Sequence, residues 1–558
     1  MAQLIVPAEV EGPVLVCSEG LSFWGGVDPE SGKVIDTHHG QHGQSLAGRV
    51  VLMPTSRGSC SGSGVLLALA LNGCAPAALV FLEDEDVLTL GALIAARMFD
   101  QPLAVLRLSK EDYAAVSSAS YVHITETQLE AHGFSLPLSP LPEDRLTLSA
   151  ADRAMLEGAE GPAARLAMET LRTMAVLQGA GEFVDVTRVH IDGCIYHSEA
   201  NLRFARTMAE MGARVRVPTT MNAISVDYAN WRHQGVPPEF GVPASQLADA
   251  YLQIGAQPTF TCAPYQLGDR PRANEDIGWS ESNAVIYANS VLGARTAKHP
   301  DYLDLCIALT GRAPRSGVYL AENRVARRRI EVEVPEGHDD SLWPLLGWLA
   351  GEMAPDRIPI LTGLEATAPS EDDLRALCAA FGTTSAAPML HVAGITPEAD
   401  RPPAAGADSV QLTRTDFARA WREFNSGGWD IDLVSLGSPH FSLEEARRFA
   451  DLMDGRRCHG DVSTIITLGR EVFAAAEAEG LVARLKAAGV RFFPDICWCS
   501  ITEPLFPPAA KVLMTNSGKY AHYAPGLCDR EVRFGSLADC AAAAQSGKAP
   551  TAPPAWLG

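Results

Sequence analysis

The sequence predicts an α/β protein in which a small β/α unit precedes a much larger α/β region. Three observations predict it. Short apolar runs of strand length alternate with helix-length segments along nearly the whole chain. Apolar residues make up 47% and charged residues 20%, an ordinary globular composition that excludes wholesale disorder. A polar, proline-bearing stretch at 135–143 (SLPLSPLPE) reads as a linker and divides the chain unequally, into 1–140 and 141–558.

In the front unit, residues 14–17, 50–53, 78–82 and 103–106 are predicted strands, and 64–71 and 92–98 are predicted helices. The alternation points to parallel pairing. After the stretch at 135–143, Ser149 is placed to cap a helix over 150–157. Strands are then expected at 186–191, 215–217, 434–436 and 491–493, with helices at 200–211, 443–453 and 471–488. Residues 335–408 carry an alternation of their own and read as a subdomain, with the Ala/Pro-rich piece 397–408 as a connection. At 558 residues, and ~150 residues per domain, the length suits three to four domains.

The net charge of −22 argues against nucleic acid as a partner, because a phosphate-backbone binder needs a basic face. No membrane span is expected: the most apolar stretch, 65–82, is broken by Asn72, Gly73 and Pro76, and a span needs ~20 apolar residues. The N-terminus lacks a basic region and a long apolar run, so no secretory signal is read and the cytoplasm is the expected compartment. Twelve cysteines are dispersed along a long chain, which suits reduced thiols rather than a disulfide framework.

The densest glycine-rich element, Ser56-Arg57-Gly58-Ser59-Cys60-Ser61-Gly62-Ser63-Gly64, lies between a strand and a helix. Amides at such a turn attract an anion. It matches neither a P-loop, a dinucleotide fingerprint nor a nucleophile elbow, and a flexible capped turn is the plainer reading. Cys497-Trp498-Cys499 follows a strand with one intervening residue, not the two of a redox dithiol or zinc knuckle. Cys262 alone reads as a core thiol. His38, His39 and His42 are too loosely spaced to specify a metal. Three further polar strings stand out: Val217-Pro218-Thr219-Thr220-Met221-Asn222, Trp279-Ser280-Glu281-Ser282-Asn283 running on to Asn289 and Arg295, and Thr515 through Gly526 with Lys519 and His522. Each can equally be caps and turns.

Taken together, these strings resemble the aconitase X family in its fused, single-chain form. Asp28-Pro29-Glu30-Ser31-Gly32-Lys33-Val34-Ile35-Asp36, Ser45-Leu46-Ala47-Gly48-Arg49-Val50 and the Arg57-to-Ser63 loop look like the family's small subunit. Pro218-Thr219-Thr220, Asn289 to Arg295 and Asn516 to Gly526 look like its large subunit. The resemblance implies a small swivelling β/α domain fused to a large multi-subdomain α/β aconitase-like region, and a hydro-lyase that uses an iron–sulfur cluster. Heterodimeric archaeal members act on a phosphorylated mevalonate. Fused members act on cis-3-hydroxy-L-proline, giving Δ1-pyrroline-2-carboxylate in hydroxyproline catabolism. The fusion favours the second, small-molecule substrate.

The same resemblance places the family's small-domain serine on Ser59, as the base, with Arg57 supporting its charge. It places cluster cysteines on Cys262, Cys497 and Cys499. Where several relatives read Gly-Cys-Pro-His, this chain has Gly437-Ser438-Pro439-His440, so a cysteine is missing at Ser438, near the cluster. The Cys-x-Cys pair supplies a replacement, and a [2Fe–2S] cluster is expected over [4Fe–4S]. Substrate contacts are expected from Ser63, Thr219, Asn222, Glu281, Asn289, Arg295 and Lys519. By charge type, Arg57, Asn289 and Lys519 suit the carboxylate, and Asn222, Asp227 or Glu281 suit the amine. Arg295 can equally be a structural ion pair, and His522 a packed histidine. Phosphomevalonate dehydration, a non-catalytic iron or redox sensor, and a zinc enzyme are the competing readings.

Overall fold

The structure, a computed structural model, describes residues 2–57 and 61–558. Ser59, the expected base, lies outside the described residues.

The front unit is a closed eight-stranded barrel. Val10–Val16, Val50–Met53, Ala78–Phe81 and Ala104–Arg107 run parallel side by side. Their apolar runs follow from position: Val50–Met53 and Ala78–Phe81 are buried on both faces, as parallel strands covered by helices must be. The helices Gly62–Leu71 and Val87–Phe99 pack together against them. Parallel pairing is only part of the barrel. Tyr121–Ile124, Gln128–Ala131 and Phe134–Pro140 form an antiparallel meander that closes it, and Phe134–Pro140 also pairs parallel with Ala2–Val6. The stretch read as a linker is therefore strand over 135–140. Phe134, Leu136 and Leu138 alternate with exposed Ser135, Pro137 and Ser139, a period of two that the prolines obscure.

Beyond it lie three parallel sheets. The first has the order Thr219–Met221, Val189–Ile191, Gly278–Trp279, with Ile191 opposite Met221 and Val189 opposite Gly278. The second is formed by Arg328–Val332, Pro359–Thr362, His391–Val392 and Asp408–Leu412. The third has five strands in the order Val490–Pro494, Ser463–Leu468, Leu433–Leu436, Val512–Thr515, Glu531–Phe534. Reciprocal capping boxes open five helices, at Ser149, Ser370, Thr413, Ser442 and Ser536, each with an aspartate or glutamate three residues on.

Two expectations are corrected. The run 215–217 is no strand: Val215 and Arg216 donate single bonds to the Ile254 and Ala308 carbonyls, and the ladder starts only after Pro218. The helix expected over 471–488 is two helices, Arg470–Ala478 and Leu481–Ala487, parted where Gly480 takes a left-handed φ of 76°. Among the described residues no helix is long and apolar enough to cross a membrane.

Candidate active site

A cavity of about 490 Å³ opens where the front unit meets the C-terminal ends of the first and third sheets. Side chains just past parallel strands point into a common crevice, and here each strand of the first sheet delivers one. Asp192 follows Val189–Ile191, Asn222 follows Thr219–Met221, and Glu281 stands two residues after Gly278–Trp279. From the third sheet, Cys497 and Cys499 follow Val490–Pro494, and Lys519 follows Val512–Thr515. The front unit adds Ser22, Trp24, Asp36 and Ser61.

Cys262, Cys497 and Cys499 meet in this cavity, with Ala223 packed beside them. Their segments are tied together by the backbone. Ile224 N–H donates to the Asp495 carbonyl at 2.8 Å, and the Trp498 indole N–H to the Leu436 carbonyl at 2.7 Å. His440 is the central clamp. Its backbone N–H donates to Cys262 Sγ at 3.3 Å, Nε2–H donates to the Ile496 carbonyl at 2.8 Å, and Nδ1 accepts from the Thr261 hydroxyl at 3.1 Å. A carbonyl only accepts, so the ring is the neutral Nε2–H tautomer. Burial holds its pKa below the ordinary histidine range, consistent with that form.

Thiol bonds from Cys262 and Cys499 hold Cys497 well below the usual thiol range, aided by Lys519. Burial, then the bond to Cys497, pushes Cys262 well up; for Cys499 that bond comes first and burial second. The Lys519 ammonium donates to Glu281 Oε1 at 2.8 Å, and Asn283 Nδ2 donates to the same oxygen. Burial opposes the lysine charge, but Glu281 and the three sulfurs outweigh it and keep Lys519 charged.

The remaining expected residues divide. Asn222 lines the cavity but donates to Asp192. His522 sits at the rim, its Nδ1 accepting from the Trp348 indole at 3.1 Å. Arg57, by contrast, is turned outward onto Glu19 and the Gly20 carbonyl, both at 2.5 Å. Ser63 is buried, bonding the Asp301 carbonyl at 3.3 Å, and Thr219 bonds the Val217 carbonyl at 2.8 Å. Asn289 is spent on the Thr296 and Pro388 carbonyls and on Arg324. Arg295 reaches Asn274 at 3.0 Å. Asp227 holds Asn230 and Gln234. None of these five — Ser63, Thr219, Asn289, Arg295, Asp227 — lines the cavity. Ser438 belongs to the clamp loop, after a backbone bend at Gly437 (φ 100°), but its side chain borders a separate small cavity with Arg375 and Glu445.

Trp24, Asp192, His197 and Asp301 line the cavity and were not singled out from sequence. A signal existed for Asp192: it directly follows a predicted strand, where α/β proteins place ligand contacts. Among the described residues, no group of three or more His, Cys, Asp or Glu side chains is disposed to hold a single metal ion.

Comparison with known proteins agrees with this architecture. Family models described as the aconitase X swivel, first, second and third domains match residues 1–131, 145–322, 326–422 and 431–546. The chain is 50% identical to a cis-3-hydroxy-L-proline dehydratase from Pseudomonas aeruginosa, over 100% of this chain and 99% of that one. It is 44% identical to one from Hypocrea jecorina, over 99% and 96%. The crystal structure of Thermococcus kodakaraensis aconitase X (holo-form) superimposes with a TM-score of 0.65 at 28% identity, covering 73% of this chain and 100% of that one. The chain belongs to the aconitase X family and is an enzyme of the hydro-lyase class.

Proposed function

We propose that this hydro-lyase removes water from cis-3-hydroxy-L-proline to give Δ1-pyrroline-2-carboxylate, with a [2Fe–2S] cluster on Cys262, Cys497 and Cys499 and Ser59 as the base. Hydro-lyases of this family are typically iron–sulfur dependent. The donor set suits such a group: three soft sulfurs converge, the Cys497 thiol is held well below its usual range, and a backbone N–H already bonds Cys262 Sγ. When bound, the cluster supplies Lewis acidity to a departing hydroxyl.

The chain's own residues account for binding and proton movement. Lys519 offers the one Lys or Arg charge among the described residues of the lining, and suits the substrate carboxylate. Glu281, Asp192 and Asp301 put carboxylates on the walls, where a ring ammonium is favoured. Ser59 takes the α-proton. The electron pair left at Cα forms the new C=C bond as the C–O bond to the β-hydroxyl breaks; the departing oxygen takes up the proton that Ser59 removed and leaves as water, which restores Ser59. The enamine then gains a proton at C3 and loses one at nitrogen to become the imine. Backbone N–H groups at the start of Gly62–Leu71 favour negative charge there.

The observation that carries the reading is the convergence of three cysteines from distant segments beside one ammonium and several carboxylates. It also weighs against a phosphate ester. A phosphoryl group calls for several cationic donors, and Lys519 is already paired with Glu281. Turnover on cis-3-hydroxy-L-proline and on phosphomevalonate tests this directly. Activity on the proline alone is expected; activity only on the phosphate ester would overturn the assignment.

A further inference from the structure

His197 stands in the turn between Val189–Ile191 and Glu199–Glu210, in the large region, yet its ring is held by the front unit. Trp24 meets it edge-on, with centroids 4.8 Å apart. On another side lies Gly64, in the first turn of Gly62–Leu71. A Cβ there would come within 2.9 Å of His197 Cε1 and 3.0 Å of Tyr302 Oη, so only glycine lets the helix seat this closely. His197 Nε2 is buried and makes no hydrogen bond, and the Tyr302 hydroxyl beside it is likewise buried and unbonded. No hydrogen bond from Nε2 therefore fastens the ring to its own region. Burial pushes its pKa down to about 4, so the ring is uncharged near neutral pH.

His197 also lines the catalytic cavity, as does Ser61. Gly64 N–H donates to the Ser61 carbonyl at 3.1 Å, so a displacement of Gly64 moves the cavity wall. We propose that His197 is a positioning residue for the dehydration: its ring, seated between Trp24 and Gly64, registers the front unit's helix, and with it Ser61, against the catalytic region. The assignment to dehydration rests on the function proposed above; the registration itself does not.

Two variants approach the contact from opposite sides. His197→Ala removes the ring, and Gly64→Ala pushes it away. Each is expected to lower kcat at least tenfold with KM within threefold. Amide hydrogen exchange is expected to quicken about tenfold within Gly62–Leu71 and to stay unchanged elsewhere. In the double variant the added methyl no longer meets the imidazole and only the Tyr302 hydroxyl remains in its way, so the two losses in kcat should combine to less than their sum in free energy. Unchanged kcat and unchanged local exchange in both single variants would overturn the proposal. So would a fully additive double variant, or exchange quickened evenly through the molecule, which marks plain packing. If the wild-type enzyme proves inactive on cis-3-hydroxy-L-proline, the proposed function fails, and the exchange pattern still decides the registration.

Discussion

At the scale of single residues, charge in a buried cleft dominates. Lys519 and Glu281 are both nearly enclosed, and removing one partner strands the other's charge at a cost of about 3–5 kcal/mol. Lys519→Met is therefore expected to lower the unfolding midpoint in denaturant and abolish measurable turnover, whereas Lys519→Arg keeps the charge and most of the stability. Asp304 offers a different test. Burial, reinforced by Asp301, pushes its carboxyl up to about 7. An unfolded aspartate titrates near 4, so the folded chain retains a proton that the unfolded chain releases between those values. This contribution is complete below about pH 4 and is lost as pH rises through about 7. Asp304→Asn mimics the protonated form, and its denaturation midpoint should decline less than wild type across that window.

At the scale of elements, the site depends on loops at strand ends, and chiefly on the Gly437–His440 bend. A Cβ on Gly437 would strike the Thr467 carbonyl, in addition to straining a φ of 100°. Gly437→Ala and His440→Ala should both loosen the Cys262 and Cys497 segments, and iron and sulfide content should fall to less than half of wild type while far-UV circular dichroism is retained. The sequence made part of this legible. Cys-Trp-Cys after a strand, and polar strings bearing Asn222, Glu281 and Lys519, marked half the cavity because strand ends and unusual polar clusters are local signals. Thr219 and Asn289 came from the same strings but brace turns, since a buried backbone carbonyl claims polar side chains as readily as a ligand does, and Arg295 is taken up by the Asn274 side chain. His440 was visible as part of Gly-Ser-Pro-His, but its clamp joins residues 261, 262 and 496, which no local pattern reveals. His197 and Trp24 were missed for the same reason: their meaning lies in a contact between units.

At the scale of the whole molecule, the cavity belongs to neither part alone. Strand–helix alternation gave the parallel sheets, while the barrel's closure stayed hidden because Pro137 and Pro140 made a strand look like a linker. The front unit supplies Trp24, along with Ser22, Asp36 and Ser61, to a lining whose other side chains belong to the large region. Trp24→Ala should raise KM about tenfold by opening that lining to water, with iron content unchanged. The central claim is that three cysteines from two distant segments hold an iron–sulfur group within this cavity. Its most direct test is iron and acid-labile sulfide analysis, with visible absorption, of protein purified without oxygen, alongside Cys262→Ser and Cys497→Ser. Wild type is expected to be coloured and to carry iron and sulfide in equal amounts, and both variants to lose them. A colourless wild type, or serine variants that keep full iron and sulfide, would contradict the account.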